Sequence, residues 1–287
     1  MAAATFSHLK NLRLPPSLFN ANLIDRIHNI WYADAPLLAS VPTDKNAGDW
    51  FGVGRSQEEK VAFDSQLRDE FGEALQALNP TSYPLPQAAT PSEERANAGI
   101  ISMPFRHLQL LRTNDIDEKA RNGMGIILLL DQISRNIFRT QEGQALVYGH
   151  YDRISRALMH SILSPGIVGT EERESLADLG GLGQSGPISQ SPVRQLFFLL
   201  PLMHSEDLKD HDEVLKHMNR LKSEAEDRGD EAGAGYIIRG LDFEKKHRVI
   251  LEQFGRYPYR NECIGRVMRP EEQKYLDEGG ERFTSAA

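Results

Sequence analysis

Apolar residues recur at helical spacing along most of this 287-residue chain, and no stretch alternates apolar and polar residues as a half-buried strand does. The pattern predicts helices over residues 23–31, 56–78, 105–111, 115–139, 141–163, 193–200, 208–228, 231–254, 258–266 and 270–276. Loops are predicted where glycine, proline and serine cluster, over residues 36–54, 79–92 and 179–192. We therefore predict an all-α fold, either a helical bundle or an α/α superhelix, with no significant sheet.

Composition narrows the class of protein. The 40% hydrophobic content is enough for one large helical domain, which we place at residues 21–278 between a flexible N-terminal arm, 1–20, and a disordered tail, 279–287. The net charge of -8 argues against a nucleic-acid partner. No apolar run approaches the roughly 20 residues of a membrane span, so we expect no membrane partner.

Cysteine content and the N-terminal sequence bear on location. Cys263 is the only cysteine, which excludes an internal disulfide and fits a reducing, cytoplasmic compartment. Residues 1–24 contain no acid, as in many transit peptides. Pro15 and Pro16 would interrupt the amphipathic helix that such a peptide needs. Mitochondrial targeting is therefore the weaker alternative.

The most apolar run of the chain, residues 126–130, leads directly into a charged segment, residues 131–139. A run that is apolar on every side of a helix is buried, so the charges after it lie close to the core. At helical spacing, one row holds Asp131, Arg135 and Arg139, and the next holds Gln132 and Asn136. These residues predict either a buried ion-pair network that sets helix register or a binding site.

A second polar segment lies at residues 201–208. Pro201 predicts a break in the preceding helix. Ser205 is predicted to cap the helix that follows, with Glu206 in its first turn, where the helix dipole favours an acid. His204 has no such local role. Its titration range makes it the natural candidate acid or base, with an ordinary core histidine as the alternative.

A third polar segment surrounds the turn at residues 254–261. Its glycine and its proline account for the turn itself. They do not account for the polar side chains grouped around it, which are Arg256, Arg260 and Asn261, with His247 on the preceding helix. Arginine binds carboxylates and phosphates through two parallel hydrogen bonds, which favours an anion site. Pairing with internal carboxylates at positions 131, 206 and 262 is the alternative.

These three segments resemble the DUF924 proteins, an uncharacterised family with the signatures D-Q-x-x-R-N-x-x-R, P-L-x-H-S-E-D and F-G-R-x-P-x-R-N. Here they read DQISRNIFR, PLMHSED and FGRYPYRN, at residues 131–139, 201–207 and 254–261. Weaker matches are Ile30-Trp31-Tyr32, Trp50-Phe51, Phe63-Asp64 and Gly265-Arg266. The resemblance implies a TPR-like α/α superhelix but no particular activity. The chain departs from the family where Phe-Pro and His are usual, at Ile133-Ser134 and at Tyr259.

Two functions follow, and the sequence leaves open whether the chain is an enzyme. The first is binding or processing of an anionic small molecule in a pocket formed by the three motifs. The catalytic candidates are His204, Glu206 and Asp131, the anion-binding candidates are Arg135, Arg139, Arg256 and Arg260, and the polar support is Gln132, Asn136, Asn261 and His247. The second is a helical-repeat scaffold for a peptide or protein partner, with the polar motifs as its ion-paired spine.

The remaining patterns predict neither a metal nor a cofactor. No H-E-x-x-H segment occurs, and the acids and histidine at residues 210–212 have no metal-ligand spacing and are predicted on a solvated helix face. The chain also lacks a Walker A sequence, a G-x-G-x-x-G turn after a strand and a G-x-S-x-G elbow. Nothing near Cys263 in sequence would activate it as a nucleophile.

Overall fold

Helices account for all the regular structure in the part of the chain that the computed structural model describes, residues 2–108, 111, 113, 115–163 and 190–283. This confirms the all-α prediction. The helices are α1 Ala2–Asn11, α2 Ala21–Trp31, α3 Asp44–Phe51, α4 Gln57–Ala77, α5 Pro91–Ala96, α6 Ala98–Arg106, α7 Ile116–Ile127, α8 Ser134–Ile137, α9 Gln141–Leu146, α10 Asp152–Leu163, α11 Pro192–Met203, α12 Leu208–Asp227, α13 Glu231–Phe254 and α14 Pro270–Asp277. None of these described helices is long and apolar enough to cross a membrane.

Local sequence signals set several helix ends where they were predicted. Ser56 caps α4 by accepting a hydrogen bond from the Glu59 backbone, and the Glu59 side chain accepts one from the Ser56 backbone in return. The predicted bounds of α13 are those observed. Gly255 ends α13 at a φ of 70°, a left-handed conformation that glycine adopts without steric cost.

The loop predicted over residues 36–54 contains helix α3, so that prediction was wrong over Asp44–Phe51. Thr43 caps α3, and contacts with the end of α2 hold it in place. The Asn46 side chain donates to the Tyr32 carbonyl at 3.1 Å, and the Trp50 indole donates to the Trp31 carbonyl at 2.8 Å. Because these contacts join α3 to another helix, the composition of the segment could not reveal them and favoured a loop.

Three other predicted boundaries shift. The helix predicted over 105–111 instead occupies Ala98–Arg106. Helix α11 continues past Pro201 to Met203, because a proline in the last turn removes only one backbone donor. Over 258–266 only Pro258–Arg260 forms a helical turn, of the 3-10 type. Of the loop predicted over 179–192, residues 179–189 lie outside the described residues. Pro192, at its end, begins α11.

The helix predicted over 115–139 is interrupted by one turn of π-helix, Leu128–Ile133, between α7 and α8. A second π-helical turn, Val147–Tyr151, joins α9 to α10. Such turns contain one extra residue and are frequent at functional sites. The first π-turn contains both Asp131 and Gln132. Its extra residue rotates these two side chains about the helix axis relative to those of α8.

Helix α11 lies at the centre of the packing, in contact with α7, α10, α12 and α13. Helices α12 and α13 are joined by residues 228–230 and pack along each other. Helix α4 packs against α8 and the first π-turn. The segment assigned to an N-terminal arm contains α1, which packs on α6 and buries Leu9 completely. The result is a gap bordered by α3, α4, α8, α11 and α13, and the polar motifs lie beside it.

Residues 210 and 211 were predicted on a solvated face, and both are fully buried. Asp210 accepts a hydrogen bond from the Arg156 Nε at 2.5 Å, and the His211 Nδ1 lies 2.7 Å from Glu244. Buried charges persist when such partners compensate their lost hydration. The partners come from α10 and α13, so the pattern of α12 alone could not reveal them.

Candidate functional site

A cavity of about 950 Å³ occupies the gap bordered by α3, α4, α8, α11 and α13. This volume falls in the range of about 300–1,000 Å³ that is typical of small-molecule sites. Six of the eleven site residues predicted from the sequence line it, namely Gln132, Arg135, Asn136, Arg139, His204 and His247. The first motif and the histidine of the second motif therefore meet at one wall.

His204 and Asp131 form a hydrogen-bonded pair at this wall, which we call the Asp131–His204 dyad. The His204 Nδ1 lies 2.9 Å from an Asp131 carboxylate oxygen. Asp131 is fully buried and also accepts a hydrogen bond from the Gln132 amide at 2.6 Å. The His204 Nε2 has no hydrogen-bond partner among the described residues. It is also not among the nitrogen atoms that are fully buried, so it is open to the cavity.

The surroundings of the dyad set its protonation state. Burial and the nearby Arg135 charge lower the pKa of His204, and Asp131 only partly opposes them. Burial raises the pKa of Asp131, but the stronger combined effect of His204, Arg135 and two hydrogen bonds lowers it below its usual range. At neutral pH the dyad is therefore a neutral imidazole, with its Nδ1–H donating to a carboxylate. This leaves the Nε2 lone pair available as a base.

Both arginines of the first motif are paired with carboxylates. Arg135 lies 2.8 Å from Asp152 and 3.4 Å from Asp131. Arg139 donates to both oxygens of Asp64, with its Nη2 at 2.9 Å. The Asn136 amide donates to the same carboxylate at 2.8 Å. The ion-pair network that the sequence offered as one alternative is thus present, and four of its members, Asp64, Arg135, Asn136 and Arg139, line the cavity.

His247 lies across from His204, with the two ring centres 6.3 Å apart. Its Nδ1 hydrogen-bonds the Phe243 carbonyl at 2.9 Å, and its Nε2 is buried without a partner in the described structure. Phe283 stacks on the ring with centres 3.6 Å apart and planes within 13°. Burial lowers the pKa of His247 to about 3, so it is neutral at physiological pH.

Glu206, Arg256 and Asn261 do not line the cavity. Both Glu206 oxygens are held by Arg266, at 2.5 and 2.9 Å, and Glu206 also accepts the Tyr257 amide. The other two residues bind Glu272, a partner from α14 that the sequence interpretation did not include; Arg256 does so through two hydrogen bonds of 2.6 and 2.8 Å, and Asn261 at 3.0 Å. These contacts hold the turn at residues 254–261 in place. The cap of α12 is Asp207 rather than Ser205.

Arg260 is buried and lies among three tyrosines instead of beside a carboxylate. Its guanidinium carbon lies 4.5 Å from the ring centres of Tyr148 and Tyr257 and 5.5 Å from that of Tyr259. It donates to the His204 carbonyl at 2.9 Å. Cation–π contacts of this kind replace the hydration lost on burial. Arg260 therefore holds the backbone of His204 through this hydrogen bond and is not in the cavity wall.

Two cations in the cavity wall were missed by the sequence analysis, Lys60 on α4 and Arg239 on α13. Neither has a carboxylate partner in the described part of the chain. With these two and Arg55, the described lining has five cationic side chains against three carboxylates, which are Asp49, Glu59 and Asp64. Arg239 precedes His247 by eight residues, so helical spacing from that histidine could have identified it. Lys60 carried no such signal.

The described wall contains no serine, threonine or cysteine. The chemistry that the dyad supports is proton transfer to or from a bound molecule or water, without a covalent intermediate on a serine, threonine or cysteine. No group of three His, Cys, Asp or Glu side chains suited to a metal ion occurs within residues 2–108, 115–163 and 190–283.

The fold and this wall define an all-α protein with an acid–histidine dyad beside a cavity. The chain matches, over residues 27–280, the family described as bacterial protein of unknown function (DUF924), and it belongs to that family. No curated protein matches it. Among solved structures, it is similar to a protein of unknown function from Agrobacterium tumefaciens, with 23% identity, a TM-score of 0.44, and coverage of 90% of this chain and 99% of that one.

Proposed function

We propose that the protein binds an anionic small molecule in the cavity and that His204 acts there as a general base. The observation that carries the proposal is the Asp131–His204 dyad, whose Nε2 opens onto a wall with an excess of cations. Arg55, Arg135 and Arg139 are already neutralised by carboxylates, so among the described residues Lys60 and Arg239 are the lining cations left to bind an incoming anion.

The dyad has the polarity of a general base. A proton taken by Nε2 from water or from a hydroxyl of the ligand would produce an imidazolium, which the Asp131 carboxylate stabilises through Nδ1–H. Burial and the Arg135 charge counteract this stabilisation and keep His204 unprotonated until a substrate supplies the proton. Asp131 is thus a positioning residue, because it reaches the cavity only through His204.

The proposal is tested by thermal shift and calorimetry with a panel of phosphorylated and carboxylated metabolites. A molecule that binds the folded state raises its melting temperature. Arg239→Ala should weaken binding of a hit by about three- to tenfold, because it removes a charge-assisted contact. Lys245→Ala is the matched control, since Lys245 lies on the same helix, pairs with Asp242 and does not line the cavity.

No hit in the panel, or an equal loss in both variants, would contradict an anion site in this cavity. Replacement of His204 by glutamine separates binding from proton transfer. A hit that is converted to product should bind His204→Gln but turn over much more slowly, by about 10²-fold or more.

An interaction scaffold, the second function predicted from the sequence, competes for the same opening. Phe51 and Phe243 line the cavity and are 61% and 55% exposed, which favours contact with an apolar partner. A peptide that binds with equal affinity to the parent chain and to Arg239→Ala, in the absence of any small-molecule hit, would support the scaffold. The TPR-like superhelix remains part of that prediction.

A further inference from the structure

The cavity is lined by two kinds of side chain. One set, the polar wall, comes from the first motif and consists of Gln132, Arg135, Asn136 and Arg139. The second set, the aromatic wall, consists of large apolar and aromatic side chains. These are Trp50, Phe51, Phe63, Leu196, Phe197, Leu200, Met203, Met218 and Phe243. A ligand that fills this space would need an anionic part and an apolar part.

The aromatic wall is held in shape before any ligand arrives. Trp50 meets Phe197 edge to face, with ring centres 4.8 Å apart and planes at 83°. Trp31 is stacked against Trp50, with ring centres 5.9 Å apart. The Trp50 indole nitrogen is tied to the Trp31 carbonyl at 2.8 Å, which fixes the ring. A preorganised apolar surface loses little entropy on binding and so favours an apolar ligand group.

Exposed apolar side chains also line the cavity. Val41, Phe51, Val53 and Phe243 are 37–63% exposed and belong to its lining. Apolar surface that is open to solvent commonly marks a binding site. Together with the polar wall, it favours a ligand that has both an apolar and a charged part.

An aromatic ring of the chain itself already occupies part of this space. Phe283, from the segment after α14, lies in the cavity wall and stacks on His247 at 3.6 Å. The face of His247 therefore accepts a flat apolar group at van der Waals distance. A ligand ring placed there would lie beside His204, whose ring centre is 6.3 Å from that of His247.

We infer that the ligand is an amphiphilic anion, a carboxylate or phosphate ester bearing an acyl or aromatic group. Its apolar part would pack on Trp50, Phe197 and Phe243, and its anionic group would be held by Lys60 and Arg239. The inference rests on the proposed function and adds the class of ligand. It distinguishes this site from one for a sugar phosphate or inorganic anion, for which nine large apolar side chains would offer no polar partner.

The test is a calorimetric series with acetate, hexanoate, octanoate, decanoate and 4-phenylbutyrate, with octan-1-ol as the neutral control. Affinity should rise by about two- to fourfold for each buried methylene. Octanoate should bind more tightly than octan-1-ol, because only octanoate carries the anionic group. Phe243→Ala should reduce the gain per methylene. Val249→Ala should not, since Val249 is 58% exposed on the same helix and lies outside the cavity.

The outcomes separate the two proposals. If acetate or inorganic phosphate binds as tightly as octanoate, the amphiphile inference is overturned and the anion site stands. If octan-1-ol binds as tightly as octanoate, the anion site fails and an apolar site replaces it. If no member of the series or of the metabolite panel binds, both proposals fail. Phe243 is largely exposed, so its loss is expected to leave the fold intact, and circular dichroism of Phe243→Ala checks this.

Discussion

At the scale of single residues, His204 shows how a local signal can point to a site without defining it. The sequence singled out this histidine because no cap or turn required it. The structure adds a buried carboxylate 2.9 Å away on one side and a cavity on the other. Glu206, only two residues further on, was also a catalytic candidate, although its place near the start of the next helix already accounted for it; Arg266 and the Tyr257 amide engage it. Residue type alone could not separate the two.

Asp131→Asn tests the dyad directly. Because the Asp131 carboxylate is the main group raising the pKa of His204, its loss should lower that pKa further. Histidine ring signals followed by NMR against pH measure the shift. In the parent chain the neutral ring should carry its proton on Nδ1, the atom that faces Asp131.

The matched control is Asp64→Asn, which removes a carboxylate from the cavity wall without touching His204. The His204 titration in Asp64→Asn should stay close to that of the parent chain. A His204 pKa that is unchanged or raised in Asp131→Asn would show that the carboxylate does not govern the imidazole.

At the scale of elements, local rules worked best at helix ends and least well inside helices. The Ser56 cap and the glycine after α13 mark observed boundaries. The π-turn at Leu128–Ile133 carried no such mark, because its apolar residues fit an α-helix equally well. The short helix α3 was missed since tertiary contacts from Asn46 and Trp50 hold it against α2.

Two glycines of helix α13 should respond in opposite directions to alanine. Gly255 has a φ of 70°, where a Cβ is strained, so Gly255→Ala should lower the free energy of unfolding by about 1 kcal/mol. Gly235 lies inside the helix, and an added Cβ would meet only Arg239, at 4.0 Å. Gly235→Ala should therefore raise the free energy of unfolding by about 0.5–1 kcal/mol. Urea denaturation measures both, and two changes of the same sign would refute this account.

At the scale of the whole molecule, folding keeps histidines neutral in three separate places. Burial is the main cause for each, and it lowers the pKa of His28 and His150 to about 4 and that of His247 to about 3. His28 lies on α2, His150 in the second π-turn and His247 on α13. The cost of charging them is therefore spread across the fold and not confined to the cavity.

This distribution predicts acid sensitivity. Between about pH 6.5 and 4 the unfolded chain binds protons at these three histidines that the folded chain does not, so stability falls as pH falls through that window. Near pH 5 these three histidines should contribute an uptake of about two to three protons on unfolding. His204 and His217, whose pKa burial also lowers, add to this uptake, and Glu244, whose pKa burial raises, opposes it. Urea denaturation at several pH values gives the slope.

His28→Gln provides the control, because glutamine can still donate to the Arg121 carbonyl that His28 contacts at 2.9 Å. The variant should take up about one proton fewer on unfolding, which reduces the slope by about 1.4 kcal/mol per pH unit. A slope that is unchanged in His28→Gln, or stability that is constant from pH 7 to 4, would contradict the prediction.

The sequence by itself determined the all-α class, most helix positions and a short set of polar residues that included His204 and Arg139. These features follow from helical periodicity and cap chemistry, which act over a few residues. The tertiary structure decided which of those residues meet. It joins Asp131 to His204 across 73 residues and Arg139 to Asp64 across 75, and it sends Glu206 to Arg266 across 60. Local patterns carry no information at such separations, so only packing could place a cavity beside the dyad.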